Sequence, residues 1–248
     1  MKWRIIAFEK HDAYFNMAID EVLLEGIREG TSPPTIRFYG WSPSAVSIGR
    51  FQSMEEEVDV EKCRELGVDY VRRITGGGAV YHDTGGEVTY SIAGPESEFP
   101  RGIRESYAYI CRYVINGLAS LGVESEFAPI NDITYNGKKI SGSAQTRRGG
   151  VLLQHGTILH SLDLRRMFTV LKVSKEKISD KQIKAAEERV TSISQIKDVS
   201  INGLYSALLS SFTEDKEHSF GIWSKEETEK AEKLRISVYG TRRWNFSR

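Results

Sequence analysis

The sequence predicts an α+β fold, in which helices and strands form mixed α/β layers. Short strands with alternating apolar residues dominate residues 1–160, where two amphipathic helices interrupt them, and helical spacing dominates the remaining residues. Neither a clear linker nor an internal repeat divides the 248 residues, so we expect one domain over residues 1–248.

The first half of the chain supplies most of the predicted strands. Apolar runs predict strands at residues 3–8, 35–39, 45–49, 68–72 and 88–93. The turn Gly40-Trp41-Ser42-Pro43 joins the second and third of these strands, so we expect those two to pair. A short helix follows Asp59, a candidate N-cap, and ends at Gly67.

The first long helix is predicted over residues 13–29. Its apolar residues follow i, i+3, i+4, i+7 spacing, Asp12 is a candidate N-cap and Gly30 is a candidate C-terminal stop. Asp20 and Glu21 fall in the middle of this helix, and we expect them on its solvated polar face.

The second half passes from strands to helices. A helix over residues 103–118 precedes three strands, at residues 132–135, 139–145 and 151–159. Asn136-Gly137 and Gly149-Gly150 predict hairpin turns between these strands. Further helices are predicted at residues 163–171, 200–212 and 224–236, and the charged segment 174–188 fits a helix or a loop.

Composition and charge exclude several classes of function. With 40% hydrophobic and 27% charged residues the chain is of ordinary globular type, and its formal net charge of +0 argues against a general binder of nucleic acid or membrane surfaces. Cys63 and Cys111 form no disulfide framework and fit buried thiols. Because no apolar run is long enough to span a bilayer and the start is not a signal peptide, we expect a cytoplasmic protein.

The stretch from Arg72 to Tyr90 carries the clearest sign of a ligand site. It reads RRITGGGAVYHDTGGEVTY, with Gly76, Gly77 and Gly78 in a row after a predicted strand. Glycine lets the backbone approach a ligand closely, and bare N–H groups in such a loop can form a concave anion site. The glycines fit neither a P-loop nor the GxGxxG motif. They predict a loop for an anionic ligand or a nucleotide, or a plain Gly-rich turn.

Lys139 is the second chemical feature. Because side chains alternate along a strand, we expect Lys139, Ser141 and Ser143 to point toward a cleft and the small apolar residues between them toward the core. An ammonium in a cleft can stabilise negative charge that develops in a transition state. The alternative is a surface lysine on a hairpin, as we expect for its neighbour Lys138.

Seven segments, in order, resemble the lipoate–protein ligase A family in its catalytic, large-domain form. They are NMAIDEVLLEG, IRFYGWSPSAVSIGRFQ, RRITGGGAVYHD, NDITYNGKKISGSA, QHGTIL, ERVTSI and RRWNF, and they extend from Asn16 to Phe246. The resemblance implies a fold shared with biotin ligases and with the catalytic cores of class II aminoacyl-tRNA synthetases. It also implies a reaction in which ATP and lipoate give lipoyl-AMP, which then acylates a lysine of an acceptor domain.

The resemblance also implies roles for individual residues. Lys139 would be catalytic and would bridge the reacting carboxylate and phosphate, while Arg72 or Arg73 would hold phosphates. Gly76, Gly77 and Gly78 would admit the acyl chain and the α-phosphate at close range. The residues expected to meet the adenylate are Ala79, Val80, Tyr81 and His82.

Three more positions have an implied role and an ordinary alternative. Asn131 and Asp132 match the ligases, and Asp132 is a candidate Mg²⁺ ligand beside ATP, although an Asx pair at a strand start is common. His155 would border the acyl pocket, or it is a satisfied core histidine. Neither His155 nor His82 has metal-ligand spacing with another His or Cys.

The implied partners are lipoyl domains of 2-oxoacid dehydrogenase E2 subunits and the glycine cleavage H protein. Larger ligases continue past the Trp244-Asn245 motif into a C-terminal accessory domain, whereas this chain ends at Arg248. The resemblance therefore implies that a separate accessory subunit assists adenylation.

Two other functions stay open. Octanoyl or lipoyl transferases that take the acyl group from acyl carrier protein resemble this chain in SGSAQTR and LQHGTIL. They use a cysteine nucleophile close to the position of Ile130-Asn131-Asp132, where this chain has none, and a thiolate mechanism needs the thiolate. A non-catalytic binder of lipoate or of its adenylate is the third possibility.

Overall fold

The computed structural model describes residues 1–172 and 180–248 and confirms the α+β prediction. Its strands are β1 (Trp3–His11), β2 (Thr35–Trp41), β3 (Ala45–Ile48), β4 (Asp69–Arg72), β5 (Val80–His82), β6 (Glu87–Pro95), β7 (Glu126–Ala128), β8 (Asp132–Tyr135), β9 (Lys138–Arg148), β10 (Val151–Leu159) and β11 (His218–Gly221). Its helices are α1 (Ala13–Glu29), α2 (Met54–Glu57), α3 (Val60–Glu65), α4 (Ile103–Ser120), α5 (Leu164–Val170), α6 (Asp180–Glu187), α7 (Ile193–Ile196), α8 (Ile201–Thr213), α9 (Lys225–Leu234) and α10 (Arg242–Asn245).

The strands form two sheets. The larger has eight strands in the order β11-β1-β2-β6-β10-β9-β8-β7, and the smaller has three in the order β4-β3-β5. The predicted pairing of residues 35–39 with 45–49 is therefore wrong: β2 pairs with β1 and β6, whereas β3 pairs with β4 and β5. The turn between them carries the chain from one sheet to the other.

Helices cover both faces of the large sheet. On one face, α4 and α8 enclose an apolar core that includes Phe38, Tyr90 and Phe212. On the other face, α1 packs against β2, β6 and β10, with α9 behind it. The small sheet has a third apolar cluster, formed with α2, α3 and α5. No helix among residues 1–172 and 180–248 combines the length and the apolar composition needed to cross a membrane.

Local signals in the sequence place the helix ends correctly. Asp12 accepts a hydrogen bond from the backbone of Phe15, and Gly30 ends α1 in the left-handed region, at φ 71°. The predictions omit several short elements, among them the strand β11 and the helix α2, although Ser53 caps α2 by accepting a hydrogen bond from the backbone of Glu56. Of the segment 174–188, residues 174–179 lie outside the described residues, and α6 occupies 180–187.

The solvent-facing position predicted for Asp20 is wrong. Its side chain is 1% exposed, and its carboxylate Oδ1 lies 3.2 Å from Nε of Arg37 on β2. Nδ1 of His155 on β10 is 3.0 Å from Oδ2 of the same carboxylate. The polar residue in the middle of α1 thus joins the helix to two strands of the sheet, because both partners lie beneath it.

Candidate functional site

A cavity of about 320 Å³ lies between the small sheet and the α1 face of the large sheet. Ten of the predicted site residues line it: Arg73, Gly77, Gly78, Ala79, Val80, Tyr81, His82, Asn131, Lys139 and His155. The remaining wall is largely apolar and includes Met17, Trp41, Leu159, Leu162, Met167 and Leu171. Its size falls within the ~300–1,000 Å³ typical of small-molecule sites, and the apolar wall suits an acyl chain.

Arg72, Gly76 and Asp132 lie outside this lining. The fully buried Arg72 donates side-chain hydrogen bonds to five backbone carbonyls, those of Gly49, Arg50, Gln52, Trp244 and Asn245. These bonds join the start of the Gly-rich loop to the turn after β3 and to α10. Arg72 therefore stabilises the frame around the cavity, and its donors are directed at protein carbonyls.

Arg73 sets the shape of the glycine loop. Its Nη2 donates to the carbonyl oxygens of Gly76 and Gly78, each at 2.8 Å. Gly77 between them has φ 96°, in the left-handed region that side chains disfavour. The loop also packs so tightly on the turn after β3 that a Cβ at Gly49 would overlap the carbonyl oxygen of Gly77.

Two buried histidines lie beside the loop. His155 Nε2 is 2.8 Å from Oγ1 of Thr75. His82 Nε2 is 2.9 Å from Oγ of Ser47, its Nδ1 is 2.8 Å from Oε1 of Glu87, and Trp41 stacks on its ring at 3.9 Å. Sequence reasoning missed Ser47, Thr75 and Glu87, because a lone hydroxyl or carboxylate on a strand carries no pattern of its own.

The protonation of His155 gives the protein a pH-dependent stability. Burial lowers the pKa of His155, and the Asp20 carboxylate raises it. The charges of Arg73 and Arg37 lower the pKa further, and the net value lies below the ordinary pKa of an imidazole. The unfolded chain, with an imidazole pKa of about 6.5, then binds a proton that the folded chain does not.

We therefore expect the free energy of unfolding to fall as pH decreases below about 6.5. Urea denaturation at a series of pH values measures this slope, with His155→Gln as the comparison because glutamine does not titrate. An equal slope in the variant between roughly pH 7 and 5 would assign the effect to other groups.

Lys139 lies at the edge of the cavity and pairs with a carboxylate. Its Nζ is 2.8 Å from Oδ1 of Asp132, and the two side chains are 44% and 32% exposed. A Cβ on Gly142 would lie 2.8 Å from Nζ of Lys139 and 3.3 Å from Oδ1 of Asp132. The absence of a side chain at Gly142 leaves space for this ion pair.

The faces predicted for β9 need correction. The β8–β9 register shifts at Ile140, so that Ser141 pairs with Ile133 but Lys139 pairs with Thr134. This bulge reverses the alternation. Lys139 and Gly142 therefore share the cavity face. Ser141 and Ser143 also belong to the cavity lining, but the hydroxyl of Ser143 points to the α4 side, with its Oγ 3.0 Å from the hydroxyl of Tyr90.

Asn131 holds the rim of the cavity to β9. Its side-chain amide donates to the carbonyl of Ser143, whose own N–H donates to the carbonyl of Asn131 at 2.9 Å. Within the described part of the chain, no group of three or more His, Cys, Asp or Glu side chains could hold a metal ion. Asp132 faces an ammonium instead, so a Mg²⁺ ion here would depend on oxygen ligands from a bound phosphate.

Neither cysteine lines the cavity. Cys111, on α4, lies behind β9, with its Sγ 3.8 Å from Oγ of Ser143, and burial raises its pKa to about 11. Cys63 is buried against the small sheet, and burial raises its pKa to about 12. Both thiols are protonated near neutral pH, so neither supplies the thiolate that a nucleophile requires.

Similar proteins bear on the activity. The chain is 43% identical to an octanoyltransferase LipM of Moorella thermoacetica, over 71% of each sequence. It is 37% identical to an octanoyltransferase LipM of Macrococcus caseolyticus, over 81% of each sequence. These relatives contradict the prediction of an ATP-dependent lipoate–protein ligase. They favour the alternative function, an octanoyl or lipoyl transferase.

Solved structures of similar proteins show the same fold. A bi-partite lipoate protein ligase from Thermoplasma acidophilum, studied with its E2 lipoyl domain, superposes with a TM-score of 0.88 at 32% identity, over 99% of this chain and 96% of the other. A lipoate-protein ligase A bound with ATP has a TM-score of 0.83 at 30% identity and covers 99% of each chain. The model of the lipoyl protein ligase A/B catalytic domain matches residues 12–213, and the chain belongs to that family.

Proposed function

We propose that this protein transfers an octanoyl or lipoyl group from an acyl carrier protein to a lysine of a lipoyl-acceptor domain. The observation that carries the proposal is the position of Lys139, whose ammonium lies at the rim of an apolar cavity of about 320 Å³. The apolar wall would hold the acyl chain, and the rim would receive its thioester carbonyl. The octanoyltransferase relatives support the same reaction.

The transfer we propose is one acyl substitution at the thioester carbonyl, with the acceptor lysine as the nucleophile and the carrier thiol as the leaving group. The neutral amine of the acceptor lysine attacks the thioester carbonyl, a C–N bond forms, the C–S bond breaks, and the carrier leaves as the thiol after taking up the proton lost by the amine. Lys139 would stabilise the oxyanion of the tetrahedral intermediate. Asp132 orients Lys139 through the 2.8 Å ion pair.

The buried cysteines make direct transfer the better-supported path. An acyl-enzyme would require a thiolate that the cavity lacks, because Cys63 and Cys111 are the two cysteines of the chain and both lie outside its lining. The kinetics would then follow a sequential pattern, with donor and acceptor bound together.

We expect Cys111→Ala to retain most of the transfer activity, because no step uses its thiol. The substitution removes buried volume and should cost about 1–2 kcal/mol of stability, so it is assayed well below its melting temperature. Measurement of kcat at saturating donor and acceptor, with Cys63→Ala as a second variant, tests this point. A loss of a thousandfold or more in a folded Cys111→Ala protein would indicate an acyl-enzyme after all.

The neighbour studied with its E2 lipoyl domain supports lipoyl domains as acceptors, and the glycine cleavage H protein is the second acceptor that we propose.

We also infer one catalytic domain over residues 1–248, because β1 and β11, from the two ends of the chain, pair in the same sheet. The cytoplasm is the location that we propose, since both carrier and acceptor would meet the protein there.

The decisive assay compares acyl donors. Purified protein and a lipoyl-acceptor domain are mixed with octanoyl-acyl carrier protein and no ATP, and in parallel with octanoate or lipoate, ATP and Mg²⁺, with and without an accessory protein. Acceptor acylation is followed by intact-protein mass spectrometry. We expect modification with the carrier donor alone, and modification that requires ATP, with release of pyrophosphate, would overturn the proposal.

A further inference from the structure

Two buried chains of side chains meet at the guanidinium of Arg73. One runs through Thr75, whose Oγ1 is 3.1 Å from Nε of Arg73, to His155 and then to the carboxylate of Asp20. The other runs through Ser47, whose Oγ is 3.1 Å from Nη1 of Arg73, to His82 and then to Glu87. Each chain has the same order of groups: a hydroxyl, an imidazole and a carboxylate.

The direction of each hydrogen bond in these chains follows from the arginine at one end and the carboxylates at the other. A guanidinium only donates, so Thr75 and Ser47 accept from Arg73 with their oxygens. A carboxylate only accepts, so the Nδ1 atom of each ring carries the proton and donates it, to Asp20 from His155 and to Glu87 from His82. In this tautomer the Nε2 atom is unprotonated and accepts the proton of the hydroxyl group.

The buried positions leave these groups few other partners. Relative exposure is 0% for Thr75, 2% for Ser47 and Glu87, and 4% for Arg73. Burial lowers the pKa of Arg73 to about 10, so the guanidinium remains charged at neutral pH. A charged group at this depth is stable only while every donor is satisfied, and here the two hydroxyls and the carbonyls of Ser47, Gly76 and Gly78 accept from it.

We propose that Arg73 is a positioning residue, and that the two hydroxyl–imidazole–carboxylate chains fix its guanidinium so that the loop from Gly76 to Gly78 presents backbone N–H groups to the acyl donor. The carbonyls of Gly76 and Gly78 point at Arg73. In a trans peptide the N–H of the next residue points the opposite way, so those of Gly77 and Ala79 point away from Arg73. Both residues line the cavity, where these two donors would bind the carbonyl oxygen of the acyl group.

This role differs from the phosphate contact that the resemblance implied for Arg73. The expected effect on the rate rests on the proposed acyl transfer, whereas the positions of the protons do not. The arrangement of protons can be tested without any substrate. Imidazole nitrogen shifts in ¹⁵N NMR distinguish Nδ1–H from Nε2–H rings and both from the charged ring. We expect the Nδ1–H tautomer for both His82 and His155 in the wild-type protein.

A matched pair of variants assigns the effect to the hydroxyl. Thr75→Val keeps the shape of the side chain but removes the group that joins Arg73 to His155, whereas Thr75→Ser retains the hydroxyl. We expect Thr75→Val to change the nitrogen shifts of His155 but not those of His82, and to lower kcat about tenfold to a hundredfold with a smaller change in KM. Thr75→Ser should restore most of kcat.

Ser47→Ala is the corresponding variant of the second chain and should change the shifts of His82 alone. If Thr75→Val does not fold, Ser47→Ala and the wild-type spectrum still test the assignment. An Nε2–H or charged ring for either histidine in the wild type would overturn the proposed proton order. Unchanged kcat in a folded Thr75→Val protein would overturn the positioning role. A wild-type protein with the expected shifts but no acyl transfer would instead count against the proposed function.

Discussion

The Lys139→Ala variant is expected to lose acyl transfer almost completely, by about a hundredfold to a thousandfold in kcat, with its fold intact. The ammonium lies at the rim beside Asp132, 2.8 Å from that carboxylate. Removing it leaves the developing oxyanion without its charge partner and leaves Asp132 as an unpaired negative charge in the same place. Both changes raise the energy of the transition state.

The backbone of residue 139 should not suffer from this substitution. Its N–H donates to the carbonyl of Arg189, and its carbonyl accepts from Thr191, and alanine can make both bonds. The side chain is half-exposed, so its loss opens no buried cavity. We therefore expect a melting temperature close to that of the wild type, and acyl-chain binding that is partly retained because the apolar wall is unchanged.

Lys138→Ala is the matched control, because the adjacent lysine has the same charge and a different position. Its Nζ donates to the carbonyl of Glu187, on the surface, and it does not line the cavity. Steady-state transfer at saturating donor and acceptor should be near normal in this variant. Wild-type rates in Lys139→Ala, or equal losses in the two variants, would show that the catalytic assignment of Lys139 is wrong.

Features with a local cause could be predicted from the sequence. The bounds of α1 follow from Asp12, from the apolar spacing and from Gly30, all of which act within a few residues. The capping box that begins α9 is equally local, since Ser224 and Glu227 bond each other's backbone. The glycine row also predicted the position of a loop that the structure places at the cavity, where Gly77 and Gly78 belong to the lining.

Features that depend on distant partners could not be predicted in this way. Asp20 reads as a solvated helix residue until Arg37 and His155, from two other elements, are placed beneath it. The bulge at Ile140 changes which residues of β9 face the cavity, and one inserted residue leaves no mark on the apolar pattern. For the same reason the sequence could name Lys139 but not the direction of Ser143.

The resemblance to known enzymes had a limit of a different kind. The segments SGSAQTR and LQHGTIL resemble both enzymes that activate a free acid and enzymes that accept a thioester, so these segments do not distinguish the two acyl donors. At the rim the described residues provide the ammonium of Lys139 and the carboxylate of Asp132, and neither cysteine lines the cavity. An assay that compares acyl donors distinguishes the two kinds of enzyme.

The largest effect on stability is expected for Arg37→Met, which removes one member of a fully buried ion pair. Arg37 is 0% exposed and Asp20 is 1% exposed, and methionine fills much of the volume of the lost side chain. Asp20 would then be a buried carboxylate whose cationic partner is gone. Removing one partner of such a pair costs about 3–5 kcal/mol, a large part of the 5–15 kcal/mol that keeps a typical domain folded.

The double variant Asp20→Asn/Arg37→Met separates the charge from the packing. The neutral amide of Asn at position 20 can still accept the hydrogen bond from His155. We therefore expect the double variant to be more stable than Arg37→Met alone, by about 1–3 kcal/mol in urea denaturation at pH 7. A double variant no more stable than the single one would assign the loss to the other contacts of the guanidinium, which are its hydrogen bonds to Asn16 and its packing 3.8 Å from the ring centre of Tyr39.

The pH dependence of the same pair gives an independent check. Burial raises the pKa of Asp20, but Arg37 and His155 lower it, and the net pKa lies below the ordinary value. The folded wild type therefore gains stability from the ionised carboxylate above the unfolded pKa of about 3.9 and loses it as pH falls. In Arg37→Met the arginine no longer lowers the pKa of Asp20, while burial still raises it, so the carboxylate is protonated at a higher pH. The stability difference between the two proteins should then shrink as pH decreases from 7 to about 5, whereas a difference caused by packing would stay constant.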